Sequence, residues 1–444
     1  MARVTPISGF PEWLPAERAV EQRVTDVLRR TFELHGFASI ETRAVETVEQ
    51  LLTKGEIDKE VYGVRRLADD AGSDADPARE LALHYDLTVP FARYVLENAG
   101  KLEFPFRRYQ IQKVWRGERP QEGRYREFLQ ADIDVVDRDT LPFHYEVEMP
   151  LVLGEVSASL PLPPMLVQVN NRKLVEGYYR GLGAPEPAEV LRVVDKLDKI
   201  GPDAVAELLQ ARAGLSAAQA RACLALAAIS SADGSFVDRV RALGVRDDLM
   251  DEGLDELVRV LDGASSSAPG LVVADLSIAR GLDYYTGTVY EARMRGFEHA
   301  GAVAAGGRYD ALASDGRTTY PGVGISFGIT RSLGLLFGRG LTATRSVPTC
   351  VLVALADEES RPAGGQVAAA LRARGIATEV APSAAKFGRQ IRFADRRGIP
   401  FVWFTSADGA HEVKDIRSGE QVPADPGTWS PPEQDLRPGV VPPA

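Results

Sequence analysis

Apolar residues recur every three to four positions across residues 15–34, where Val20, Val24, Val27 and Leu28 fall on one face, and this spacing predicts an amphipathic helix. Pro15 suits its first turn and Gly36 is a natural stop. A short apolar strand is predicted over 37–40. The pattern then turns to β: 81–87, 107–116 and 127–136 read as strands. The last two flank 117–126, a charged stretch with one Pro and two Gly, which predicts a hairpin with a long tip. Residues 69–80 are polar and carry Gly72, Ser73 and Pro77, the composition of a mobile loop. A helix followed by a run of strands, without strand–helix alternation, favours an antiparallel sheet with helices.

Residues 185–262 change character. Ala, Leu and Val dominate in several helical runs with few strand signals, and 263–270 (Gly-Ala-Ser-Ser-Ser-Ala-Pro-Gly) reads as a flexible linker. This predicts a helical insertion between two parts of one domain. Strand patterns return at 271–276, 286–290, 301–309 and 322–336. Near 346–348 the chain starts afresh: strand 351–355, helix 366–374, strand 377–381, helix 384–397 and strand 400–404 predict a small α/β domain with a mostly parallel sheet. Beyond Pro423 the chain is rich in Pro, Asp, Gly and Ser and is expected to fray. The expected division is therefore an α+β domain built on an antiparallel sheet (1–180 and 266–340), a helical insertion (181–265), an α/β domain (346–425) and a flexible tail (426–444).

Composition narrows the class. A chain of 444 residues exceeds one ordinary core, so several domains are expected. No apolar run reaches the roughly 18 residues of a membrane span, and the first residues lack the apolar segment of a signal peptide. Two cysteines, Cys223 and Cys350, lie far apart, so neither a disulfide framework nor a cysteine metal site is expected, and the cytoplasm is the expected compartment. The five histidines show no ligand spacing. The net charge of −11 argues against a nucleic-acid partner for the molecule as a whole. Net charge governs solubility and long-range steering, however, so one basic face can still bind RNA.

Five stretches carry candidate chemistry. Residues 280–291 (Arg-Gly-Leu-Asp-Tyr-Tyr-Thr-Gly-Thr-Val-Tyr-Glu) place Arg280, Asp283, Tyr284 and Tyr285 within six positions. Arg is a permanent forked cation suited to phosphate, and Tyr offers a flat apolar body with a polar tip. On a regular strand adjacent tyrosines face opposite ways, which predicts Tyr285 toward a pocket and Tyr284 toward the core. The hairpin loop holds four arginines among residues 116–126. Just beyond it, alternation places Gln130, Asp132 and Asp134 on one face, costly against a core and sensible in a wet pocket. Asp86-Leu87-Thr88 is a polar cluster at a strand end. Gly301–Asp310 and Gly322–Gly328 are glycine-rich, and the second leads into a helix with Arg331. Neither a dinucleotide fingerprint nor a P-loop is present, so a nucleotide would need another cradle. The 384–397 helix offers Lys386, Arg389, Arg392, Arg396 and Arg397, mostly on one face; alone, that is a solvated charged surface.

These residues together resemble the histidyl-tRNA synthetases, a family of class II aminoacyl-tRNA synthetases, over nearly the whole chain and in the family's order. Residues 11–40 resemble class II motif 1, the dimer-forming helix and strand. Residues 114–136 resemble motif 2, and 322–336 motif 3 with Arg331. The class II motifs are loose; 280–291 is specific, because it matches the family's own histidine signature. Gly306-Gly307-Arg308-Tyr309-Asp310 matches its second histidine-binding segment, and the α/β end domain resembles the family's anticodon-binding domain. The resemblance implies a homodimer that uses ATP with Mg²⁺, L-histidine and tRNA(His) to form histidyl-adenylate and then histidyl-tRNA. It implies that Arg116 holds the α-phosphate, Arg331 the far phosphates, and Arg280 the other side of the α-phosphate, where relatives of other specificity use Mg²⁺. It assigns Glu118 and Arg124 to adenine and triphosphate. Asp86, Thr88, Gln130 and Asp134 are assigned to the histidine ammonium, and Tyr284, Tyr285 and Tyr309, with Gly306 and Gly307, to the imidazole side. Asp86 stands where some members carry Glu, and either meets an ammonium. Gln121 becomes a candidate contact for the tRNA acceptor end, and Lys386, Arg389 and Arg392 for the anticodon stem. Chains resembling these synthetases also serve as non-catalytic regulatory subunits of the first enzyme of histidine biosynthesis. Those usually lack the end domain and erode the ATP arginines, both of which are retained here. A third reading is an RNA- or amino-acid-sensing module without turnover.

Overall fold

The apolar stripe at the start of the chain forms one helix, Pro15–Leu34, with Val20, Val24 and Leu28 fully buried. The computed structural model describes residues 5–52, 60–67, 80–279 and 284–443. The expected 69–80 loop lies outside the described residues except for Glu80, as does Arg280. The chain divides into two units, Met1–Pro11 with Thr25–Leu335 and Glu12–Val24 with Leu336–Ala444.

The first unit is organised by a nine-stranded sheet. Its order is Ala38–Ser39, Phe106–Trp115, Glu127–Val136, Gly322–Gly328, Ala304–Tyr309, Thr288–Met294, Met165–Asn171, Val272–Asp275 and Ser230–Ser231. All neighbours are antiparallel except Ala38–Ser39 beside Phe106–Trp115 and Met165–Asn171 beside Val272–Asp275. Phe106–Trp115 and Glu127–Val136 form the expected long hairpin, in a register that sets Gln110 opposite Asp132 and Arg108 opposite Asp134. On the other side Ser326 faces Asp132 and Gly324 faces Asp134. A polar strip thus crosses the middle of the sheet, two residues apart along each strand.

Burial of that strip is made possible by pairing. The fully buried Arg108 guanidinium lies 2.5 Å from Asp134, 4.3 Å from the centre of the Phe91 ring, and beside the Gln110 amide at 3.4 Å. A charge so placed is tolerated only when paired and hydrogen-bonded. Glycine supplies the room: a Cβ on Gly324 would sit 2.1 Å from Asp134 Oδ1, and one on Gly322 would sit 2.6 Å from the Tyr309 ring.

The helix His144–Ser159 shows no periodic signal because its apolar residues are spread around the axis rather than gathered on one face, and it carries Pro150 internally. The insertion is helical as expected: Pro187–Val194, Leu197–Ala213, Ala217–Ala227, Phe236–Ala242 and Asp248–Ser267. Ser216 and Gln219 cap one helix reciprocally, and the Asp247 side chain caps the last. The expected 263–270 linker is corrected here. Its first five residues, through Ser267, continue the last helix, because Ala264 is fully buried and Gly263 packs so closely on Val147 that a Cβ would lie 2.4 Å away.

The second unit holds a five-stranded sheet in the order Thr378–Val380, Val351–Val353, Phe401–Thr405, His411–Asp415 and Gln421–Pro423. The first three strands are parallel and carry the helices Arg361–Ala373 and Phe387–Arg396 in their crossovers. The antiparallel pair that completes the sheet went unforeseen, since its residues are mostly polar and exposed. The expected flexible tail is also corrected. Trp429 packs edge-on against Phe401 and Trp403, with ring centres 5.3 and 5.7 Å away. Arg417 forks onto Asp435 at 2.7 and 2.9 Å, and the buried Arg345 donates to the Asp435 carbonyl at 2.9 Å. Val440–Val441 pairs with Thr342–Ala343.

Candidate active site

The polar strip floors a cleft of about 420 Å³ in the first unit. Four charged residues from the hairpin loop and the last strand–helix junction line it: Arg116, Glu118, Arg124 and Arg331. Arg116 closes the base of the hairpin through its backbone N–H to the Arg126 carbonyl at 2.9 Å. Its Nε donates to the Tyr85 carbonyl at 3.0 Å, and its guanidinium stands over the Phe128 ring at 5.2 Å. Glu118 and Arg124 pair across the loop at 3.0 Å. The Arg331 guanidinium donates to the Ala300 carbonyl. Three guanidinium groups brought to one cleft suit a polyanion.

The same cleft is lined by Asp86, Thr88, Gln130 and Asp132. Asp86 sits at the start of the helix Thr88–Asn98 and accepts the Val89 N–H at 3.1 Å. Gln130 donates to Ser326 Oγ at 2.7 Å. Gln130 Oε1 and Asp132 Oδ1 are buried and accept no hydrogen bond among the described residues. Burial pushes the Asp132 carboxyl up to about 7; Arg108 opposes this, while the like charges of Asp134 and Asp86 reinforce it. The buried His84, just past the strand Leu81–Leu83, is shifted the other way, below its usual range, by desolvation, and its Nε2 is 2.7 Å from the Lys113 carbonyl.

Both tyrosines of the 284–285 pair line the cleft, which corrects the expectation of one in and one out. Regular strand begins only at Thr288, so the alternation rule does not govern residues 284–287. The two rings lie 4.1 Å apart at 45°. Burial raises the Tyr284 phenol well above its ordinary value. Gly307 allows the Tyr285 ring to lie against the strand: a Cβ there would be 2.8 Å from the ring.

The Gly-Gly-Arg-Tyr-Asp run does its work behind the cleft. Gly306 lines it, but Gly307 and Tyr309 do not, and Asp134 does not either. The Tyr309 hydroxyl donates to Asp134 Oδ1 at 2.8 Å, directly behind the cleft floor. Arg308 pairs with the fully buried Glu146 at 2.8 Å and with Asp310 at 3.0 Å. Glu146 in turn accepts the Thr288 N–H at 3.2 Å and its hydroxyl at 2.5 Å, and Asp310 accepts the Thr286 hydroxyl at 2.5 Å. This network fixes the segment that carries the tyrosines. Gln121 lies at the exposed loop tip outside the cleft. Sequence reasoning placed Asp132 on the correct face without giving it a role, and it missed Glu291, Ser326 and Tyr290, which also line the cleft.

In the second unit, Lys386 caps the helix Phe387–Arg396, and Lys386, Arg389, Arg392 and Arg396 are exposed. Arg397 is instead paired with Glu379 at 2.9 Å. Phe387 is 41% exposed and meets Phe404 edge-on at 5.1 Å.

A family model for histidyl-tRNA synthetase matches residues 9–331, and one for the anticodon binding domain matches 349–426. A Micrococcus luteus relative described as a histidine–tRNA ligase is 61% identical over 455 residues, covering 99% of both chains. One from Cutibacterium acnes with the same description is 60% identical over 451 residues, again covering 99% of both. The crystal structure of a histidyl-tRNA synthetase from Nostoc superimposes with a TM-score of 0.85 at 33% identity, covering 96% of this chain and 97% of that one.

Proposed function

The chain belongs to the histidyl-tRNA synthetase family, and on that premise we propose how its cleft carries out the family's reaction. It is an aminoacyl-tRNA ligase. L-Histidine and ATP give histidyl-adenylate and pyrophosphate, and the histidyl group then passes to the 3′ end of tRNA(His). The observation that carries this reading is one cleft holding Arg116, Arg124 and Arg331 together with an acid, amide and tyrosine set.

In the first step a carboxylate oxygen attacks the α-phosphorus and pyrophosphate leaves. Two anions must approach, so positioning and charge neutralisation supply most of the catalysis. Arg116 is assigned to the α-phosphate and Arg331 to the far phosphates, with Glu118 and Arg124 at adenine and triphosphate. Mg²⁺ enters with ATP as the counter-ion of its phosphates. Arg280 is assigned to the opposite side of the α-phosphate. Asp86, Thr88 and Gln130 receive the ammonium group, and Tyr284 and Tyr285 hold the imidazole. Asp134 and Tyr309 support these contacts from behind. A site that hydrogen-bonds an imidazole rejects isosteres lacking it, so no editing step is required. In the second unit the basic helix meets the anticodon stem, and the half-exposed Phe387 offers a stacking surface to an unpaired base. The protein acts in the cytoplasm as a homodimer in this reading.

The regulatory-subunit alternative is disfavoured, because relatives described as ligases match end to end. Histidine-dependent ATP–pyrophosphate exchange tests the assignment; no exchange at saturating substrates would sink it. Arg280→Ala is expected to lower that exchange by roughly 10²–10³ with the fold intact, as for removal of one transition-state charge contact. A drop of less than about tenfold would remove Arg280 from its role.

A further inference from the structure

We propose that Asp132 is a further substrate-binding residue, the carboxylate that receives the α-ammonium group of histidine beside Gln130 and Asp86. The inference rests on the histidine-activating reading of the cleft. Asp132 lines that cleft from the centre of the sheet and is only 3% exposed. Its Oδ1 accepts no hydrogen bond among the described residues. A buried carboxylate oxygen left without a donor is costly and calls for a ligand that supplies one.

The groups packed around it do not fill that need. Across the sheet it faces Gln110 on one strand and Ser326 on the other; the Ser326 hydroxyl hydrogen-bonds the carboxyl and yet leaves Oδ1 open. The Gln110 amide donates to Thr42 and Gln112 instead, at 2.9 and 2.6 Å. The cation that acts on it, Arg108, is committed to Asp134 at 2.5 Å and stacked on Phe91. The other charges that face Asp132 among the described residues, Asp134 and Asp86, are negative. The cleft floor is therefore short of positive charge and has two open acceptors on the same strand face, Asp132 Oδ1 and Gln130 Oε1. An ammonium group presents three N–H donors and one charge, which matches both deficits. Histidine's ammonium keeps its charge at neutral pH while its imidazole, with an ordinary pKa of about 6.5, largely does not. The ammonium is the better fit.

The geometry also carries a pH signature. Desolvation and the two neighbouring aspartates hold the free Asp132 carboxyl near neutrality, at about 7, so it changes charge within the working range. Binding a cation requires the ionised form, so histidine binding should strengthen as pH rises through that value.

The test compares wild type with Asp132→Asn, which keeps the shape and removes the charge. Pyrophosphate exchange gives the KM for histidine and for ATP. Titration calorimetry gives the affinity for two probes: histidinol, which retains the ammonium, and 3-(imidazol-4-yl)propionate, which lacks it. We expect Asp132→Asn to weaken histidinol at least about tenfold, the scale of a charge-assisted hydrogen bond, and the propionate by less than about twofold. The KM for histidine should rise and that for ATP should not. The wild-type rise in histidine KM on going from pH 8 to pH 6 should flatten in the variant, which leaves only the substrate's own imidazole titration. Equal losses on both probes would move Asp132 to the imidazole and overturn the proposal. Unchanged histidinol binding with normal wild-type exchange would overturn it too, and leave the ligase reading standing. Absence of exchange in wild type would instead strike the reading beneath it.

Discussion

The arginines of the cleft and its backing and those of the Phe387–Arg396 helix carry the same charge and are held in opposite ways. In the first unit each has a fixed partner: Arg108 on Asp134, Arg308 on Glu146 and Asp310, Arg116 on the Tyr85 carbonyl and the Phe128 ring. In the second unit Arg389 and Arg392 are exposed and form no ion pair among the described residues. Fixed cations can be aimed at atoms of a small substrate, because the protein has already met the cost of orienting them. Free cations act through their summed field and adapt to a flexible polyanion. The comparison predicts that substitutions in the cleft and its backing will change stability or chemistry at any ionic strength, and that those on the helix will change only a salt-sensitive affinity.

The largest effect is expected behind the cleft. Glu146→Ala leaves Arg308 without its buried partner and Thr288 without its acceptor. Breaking one side of a buried pair costs about 3–5 kcal/mol, to be read from denaturant melts. A loss below about 1 kcal/mol would place this pair with surface ion pairs and dissolve the contrast. Next comes Arg116→Ala, expected to lower pyrophosphate exchange by roughly 10²–10³ (about 3–4 kcal/mol) while shifting the melting temperature little. Lost stability without lost exchange would make Arg116 a scaffold residue.

Asp132→Asn sharpens the comparison with an opposite sign. The folded carboxyl titrates at about 7, above its ordinary 3.8, because burial disfavours its charge. The unfolded chain therefore ionises first, and stability falls as pH rises from the ordinary value to the folded one. Removing the carboxylate should accordingly stabilise the ligand-free protein at pH 8, on the order of 4 kcal/mol, and the gain should vanish near pH 4. A site that binds a cation at the expense of stability would show this; a structural aspartate would show a loss.

How much of this was legible in the sequence follows the range of the interactions. Local periodicity gave the Pro15–Leu34 helix, the Phe106–Trp115 and Glu127–Val136 hairpin and the parallel core of the end domain. Alternation along one strand put Gln130, Asp132 and Asp134 on one face, and all three point that way. It could not tell which of them faces the cleft. That is decided by Arg108, 26 positions upstream of Asp134 and brought opposite it only by strand register. The tyrosine pair was misjudged because a strand rule was applied where no strand exists. The C-terminal segment was misjudged on its Pro and Gly content, although one residue, Trp429, gives it an aromatic anchor. Composition registers the many polar residues of such a segment and not the single side chain that pins it.

The smallest effect tests the other half of the comparison. Arg389→Glu combined with Arg392→Glu should leave melting temperature and pyrophosphate exchange within error, since both side chains are exposed and neither is paired among the described residues. The KM for tRNA should rise about five- to twentyfold at low salt, and each lost phosphate contact should reduce the slope of log affinity against log salt by about 1. At high salt the variant and wild type should converge, because exposed charges are screened over about 10 Å at 0.1 M salt and less above it. Arg397→Ala is the internal control on the same helix end: its partner Glu379 already holds it, so it should affect tRNA binding less than Arg392→Ala. If exchange and aminoacylation fall together, these cations contribute to the chemistry and the distinction between aimed and unaimed arginines fails. If tRNA affinity falls without a change in salt slope, they do not meet phosphates, and the anticodon stem must be sought on another face of this domain.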